Sequence, residues 1–115
     1  MFALTPRHLK AREAAPDAAF AYLRIEHVKR VIPDRTADVS DEVLLKRVRI
    51  ARERARELGF TTEKNLALFV DLGFGLGEDF ETNLDYARIA GIVGDVASHE
   101  DVRITRVYRE LPAME

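Results

Sequence analysis

The residues able to carry chemistry are few in this chain, and their spacings argue against most reactions. His8, His27 and His99 are far apart, and no two fall at the i, i+4 spacing of a helical metal site. There is no cysteine, which excludes disulfides and thiolate chemistry. Gly73-Phe74-Gly75-Leu76-Gly77 is glycine-rich. A phosphate loop needs a Lys-Ser/Thr pair and precedes a helix. This run lacks the pair and follows a helical pattern, so helix ending and close helix packing account for it better. Glu78, Asp79, Glu81 and Asp85 form an acidic cluster. A calcium loop sets oxygen ligands at alternate positions and closes on a bidentate Glu. The spacing here does not match, which leaves a solvated loop or an acidic patch for a partner. Asp71 interrupts an apolar run, and a carboxylate there must be paired, hydrogen-bonded or on the one exposed stripe. Its expected partners are an arginine of residues 47–56 or the N-terminus of a neighbouring helix. No Ser-His-Asp set and no carboxylate pair can be singled out. The expectation is a protein with no catalytic residue, no metal site and no cofactor.

The strongest charged feature is basic: Lys46, Arg47, Arg49, Arg52, Arg54 and Arg56. Such a run is commonly a solvated helix face. Residues 51–63 also read like the first helix and turn of a helix-turn-helix, which would make the next helix a reader of the major groove. A reader helix presents polar and basic side chains. Leu66-Ala67-Leu68-Phe69-Val70 presents apolar ones, and the net charge of -2 also argues against DNA. A small DNA-binding regulator is therefore the alternative, and a protein partner the first reading.

The elements that must position these residues are helical. Leu66 to Leu76 is apolar on nearly every side in a chain that is 33% charged, so it must be wrapped by other elements. It is too short and too interrupted to cross a bilayer. Thr61 or Thr62 caps this central helix and Gly77 ends it. Before it, Ser40 caps a helix carrying Leu44, Val48, Ala51, Ala55 and Leu58 on one stripe, ended by Gly59. Upstream, Thr5-Pro6 opens a short helix to about Ala14, and Pro16-Asp17 restarts the pattern. Phe20, Leu23, His27 and Val31 then form a stripe that Pro33 closes. Residues 33–39 read as a loop. Downstream, Thr82 or Asn83 opens a helix with Leu84, Ala87, Ile89, Ile92, Val93 and Val96 as its apolar set. Ser98-His99-Glu100-Asp101 resembles a capping box. Ile104, Val107, Tyr108 and Leu111 recur at helical spacing, although Val102 and Ile104 alternating with Arg103 and Thr105 also allow a strand. No hairpin signal is present. The fold class is all-α: a single domain over residues 1–115, a bundle of five or six helices around residues 62–76.

Length and composition agree. A chain of 115 residues has room for one core, and 47% apolar with 33% charged is a soluble, helix-rich balance. The N-terminal residues contain no apolar run long enough for a signal peptide, so the expected location is cytoplasmic. Amphipathic helices in a small domain often complete their burial in a homodimer, which stays open.

Arg54-Ala55-Arg56-Glu57-Leu58-Gly59-Phe60-Thr61-Thr62-Glu63, then Leu68-Phe69-Val70-Asp71-Leu72-Gly73-Phe74 and Gly77-Glu78-Asp79-Phe80, resembles a known progression. It is similar to small helical proteins encoded near the effector and spike genes of bacterial type VI secretion systems. Phe20 and Ile32-Pro33 match further motifs loosely, and the likeness covers roughly residues 17–95. Gly73 stands where Met is common, Glu78 replaces Pro, Phe60 replaces the usual Tyr-Gly environment, and a Trp expected near Tyr86 is missing. The resemblance implies an adaptor, chaperone or immunity partner of a secreted effector or spike component, and transfers no catalytic residue. The expected function is thus a non-enzymatic protein-interaction module. Its expected contact residues are Lys46, Arg47, Arg49, Arg52, Arg54 and Arg56 with Glu78, Asp79, Glu81 and Asp85. No membrane contact is expected.

Overall fold

Hydroxyl caps and left-handed glycines set the two helices that organise the molecule. Ser40 Oγ accepts from the Val43 N–H at 3.3 Å and starts α2 (Asp41–Glu57). Thr62 Oγ1 accepts from the Asn65 N–H at 3.2 Å and starts α3 (Glu63–Leu76). Gly59 and Gly77 follow their helices at φ +92° and +115°, a region open to glycine at little cost. The structure, a computed structural model, describes the backbone of residues 6–111 and the side chains of residues 18–111. The Thr5 cap and Pro112 lie outside the described residues.

Around this pair lie α1 (Pro6–Val31), α4 (Ala87–Val93) and α5 (Glu100–Glu110), joined by short 3-10 turns at Pro33–Arg35 and Leu84–Tyr86. Among the described residues there is no strand, so the bundle is all-α and residues 102–110 are helix. From Asn65 to Gly77 every residue of the central helix is buried or half-buried. The α2 stripe packs on it through Leu44, Val48 and Ala55. Phe69 sits between Phe60 and Phe80, with ring centroids 5.7 and 5.6 Å away. Phe80 thereby anchors the acidic connection to the core.

Several expectations are corrected. Pro16 does not divide the first segment, which is a single helix. Proline removes one backbone donor, but its fixed φ suits a helix, and Ala14, Ala15, Ala18 and Ala19 around it are the strongest helix formers. The buried face of α1 is Phe20, Ala21, Ile25 and Val28, while Leu23 and Val31 are exposed. Ala21 lets the helix approach the core on a face shared with Phe20, Ile25 and Val28 and rotated from Leu23 and Val31. In the segment after residue 82, Ile89, Ile92 and Val93 are buried, but Leu84 and Val96 face solvent. The cap of α5 is His99, whose Nδ1 accepts from the Asp101 N–H at 3.1 Å; Ser98 Oγ donates instead to Asp95 at 2.7 Å.

Gly73 and Gly75 were expected where another helix crosses closely. A methyl group added at either would meet nothing within 4 Å. These glycines keep grooves open beside α3 and seat no neighbour. Gly73→Ala is therefore expected to raise stability by about 1 kcal/mol, the helix-propensity difference alone. Urea unfolding measures it, and a loss of stability would show that the space is needed.

Candidate partner-binding groove

The basic face of α2 and the acidic connection after α3 meet across one groove. Its α2 wall is Val43, Lys46, Arg47, Ile50 and Arg54; its far wall carries Gly73, Phe74, Glu78 and Glu81. The space between holds about 620 Å³ above Phe69, Val70 and Phe80, each of which is at most 2% exposed. Two ion pairs bridge the walls. Arg47 Nε lies 2.6 Å from Glu78 Oε1, and Arg54 grips Glu81 with Nε and Nη2 at 2.9–3.0 Å. Glu81, then Glu57, holds the Arg54 guanidinium well above its ordinary pKa. The Arg47 guanidinium also lies 4.4 Å over the Phe74 ring and donates to the Gly73 carbonyl at 3.4 Å. Stacking and a carbonyl contact fix this side chain as an exposed ion pair alone does not.

Ten contact residues were expected from the sequence. Lys46, Arg47, Arg54, Glu78 and Glu81 gather on this groove. Arg49, Arg52 and Arg56 turn to the other side of α2, where it faces α1, and Arg52 stacks 4.7 Å over Phe20. Asp79 and Asp85 are exposed and line neither groove. Within the groove, Arg47 and Arg54 are thus paired with Glu78 and Glu81, while the other six expected residues take no part in these pairs.

Val43 and Ile50 were missed. They are 49% and 60% exposed, one heptad apart on the face otherwise carrying charge. A signal existed: both are apolar residues outside the Leu44-Val48-Ala51-Ala55 stripe, seven apart.

Asp71 pairs with α1 instead of with α2. Its Oδ2 is 3.0 Å from Arg24 Nη1 and 3.5 Å from His27 Nε2. The expected partner among residues 47–56 is replaced because this side of α3 faces the first helix. Burial raises the Asp71 pKa, and Arg24 and His27 only partly counter it. A second groove of about 490 Å³ runs past Asp71 and Tyr108. The Tyr108 hydroxyl donates to the Leu68 carbonyl at 2.8 Å, and burial, then the Asp71 charge, pushes its pKa up. The acid is held through Oδ2 by a guanidinium while its buried Oδ1 accepts no hydrogen bond, and the phenol is held by a carbonyl.

Among the described residues no three His, Asp or Glu gather to hold a metal, and no helix is long and apolar enough to cross a membrane. No family model, curated protein or solved structure matches the chain.

Proposed function

We propose that this protein is a non-enzymatic interaction module whose α2–α3 groove receives a partner protein. The likeness of residues 17–95 to accessory proteins of type VI secretion loci makes that partner a secreted effector or spike component. The role is then adaptor, chaperone or immunity partner, exercised in the cytoplasm. The observation that carries the reading is the exposure of Val43 and Ile50, one heptad apart on the charged face of α2. Apolar surface in water is unfavourable by about 25 cal/mol per Å². Two exposed apolar side chains set among Lys46, Arg47 and Arg54 suit a contact site. Charged groups around such a site favour specificity more than affinity. The alternative, a DNA reader, has less support. The helix that would enter the major groove is enclosed from Asn65 onward, and only Glu63 and Lys64 at its start are exposed.

Co-expression with the products of neighbouring genes tests the reading. A stable complex is expected, and Ile50→Asp is expected to weaken it at least about tenfold, since about 1.4 kcal/mol of lost contact suffices. Purification of the protein alone at micromolar concentration beside every neighbouring product would refute it.

A further inference from the structure

Residues 78–83, the acidic connection after α3, border the groove and carry the acidic halves of the ion pairs that cross it. Phe80 is the one buried residue among them. Among the described residues, every backbone hydrogen bond of this segment closes within residues 77–86. The Phe80 N–H donates to the Gly77 carbonyl, those of Thr82 and Asn83 to Asp79, and that of Tyr86 to Asn83. The segment is thus a self-contained set of turns that shares no backbone bond with α2. Lifting it would orphan no backbone group of the bundle.

Side chains alone hold it against α2. Arg47 meets Glu78 at 2.6 Å, and Arg54 meets Glu81 through Nε and Nη2 at 2.9–3.0 Å. The Glu78 side chain is 68% exposed, so salt screens its pair. Neither arginine needs the segment to stay in place. Arg47 rests 4.4 Å over the Phe74 ring and 3.4 Å from the Gly73 carbonyl, both in α3, and Arg54 keeps Glu57 at 3.1 Å. Release of Glu78 and Glu81 therefore strands no cation. The apolar hold is the Phe80 ring, 5.6 Å from the Phe69 ring. The hollow of about 620 Å³ between the walls leaves the segment less than solidly packed on α2. Gly77, at φ +115°, and Asn83 bound it, and a glycine absorbs a backbone change at little cost.

We infer that residues 78–83 are a strap closed over the apolar layer of the groove. It swings off α2 about Gly77 and Asn83, carries Phe80 out, and uncovers Phe69 and Val70 beside the exposed Val43 and Ile50. Closed, it shields that layer from water; open, it offers the layer to the partner. The motion belongs to the free chain, and only its purpose rests on the interaction reading.

The chain has no cysteine, so Val70→Cys supplies a single thiol under the strap. Val107→Cys supplies one in α5, outside the groove, and both valines are fully buried. Alkylation by iodoacetamide, a neutral reagent, is followed at about 10 mM and about 1 M sodium chloride, where the screening length falls from about 30 Å to about 3 Å. Val70→Cys is expected to react at least about fivefold faster in the high salt, with Val107→Cys unchanged. Adding Arg54→Gln should bring the faster rate to low salt and remove most of the salt effect. Equal Val70→Cys rates in both salts and with Arg54→Gln would overturn the strap. So would a parallel rise at Val107→Cys, which would mean that the whole chain opens. Should Val70→Cys lose its helical circular dichroism, relaxation dispersion of the Phe80 ring in the unsubstituted chain takes its place. Exchange that grows with salt supports the strap, and its absence overturns it. In a complex with a neighbouring gene product captured through Ile50, a protected Val70→Cys thiol supports the uncovered layer as the seat. A thiol that reacts as in the free chain would overturn that seat while the interaction reading stands.

Discussion

Arg103→Ala is expected to destabilise the protein by about 3–5 kcal/mol, lowering the melting temperature by roughly 10–20 °C. The side chain is 3% exposed, a rare state for a guanidinium. It is tolerated because its donors end on carbonyls that nothing else would satisfy. Nη1 donates to the Leu58 carbonyl at 2.6 Å and the Val93 carbonyl at 2.9 Å, and Nε to the Ser98 carbonyl at 3.1 Å. Leu58 caps the C-terminus of α2, and Val93 is the last residue of α4. A cation at two helix C-termini meets the negative end of both dipoles. Its plane lies 4.4 Å over the Phe60 ring, so truncation also opens a hole against the core. Arg103→Lys should recover only part of the loss, because a single ammonium cannot span the fork. Thermal and urea unfolding of the three proteins decide it. A loss below about 1 kcal/mol would mean that water replaces the guanidinium at no great penalty.

Neither Arg103 nor its role is legible in the sequence. Its partners are backbone carbonyls up to 45 residues away, and no spacing rule encodes a carbonyl. By contrast α2 and α3 are legible nearly to the residue, because Ser40, Thr62, Gly59 and Gly77 act locally. The first helix fails for a matching reason. Proline is a local signal of a stop, and the helix overrides it through its neighbours. Of its expected stripe Phe20 is buried, but packing chose Ala21, Ile25 and Val28 over Leu23 and Val31. The groove is half legible. Its charges stand out as runs, but the pairing of Arg54 with Glu81, 27 residues apart, follows from the α2–α3 crossing. Val43 and Ile50 were hidden by those same charges, though their seven-residue spacing marks a second apolar ridge.

Glu100 is expected to give the protein an acid-sensitive joint. The carboxylate sits at the N-terminus of α3 and accepts from the Thr61 and Thr62 N–H groups, both threonine hydroxyls and Asn65 Nδ2, at 2.6–3.3 Å. Burial alone would raise its pKa. The hydrogen bonds from Thr61, Asn65 and Thr62 outweigh that and bring it from 4.5 to about 2. As the pH falls below 4.5 the unfolded chain takes up a proton that the folded carboxylate refuses until about 2. The stability from this group is therefore complete above 4.5 and disappears on the way down to about 2. Asp71 works in the opposite sense. Its raised pKa makes the folded state protonate first, which favours folding as the pH drops, so wild-type stability alone mixes the two. The gap between wild type and Glu100→Gln isolates Glu100. Near pH 7 it should be about 2–3 kcal/mol, the loss of charge-assisted bonds at a buried cap. Toward pH 2 it should close, since a protonated Glu100 resembles the amide. Urea midpoints along that range measure the gap, and a gap that holds constant with pH would show that the carboxylate charge has no part in holding α5 to α3.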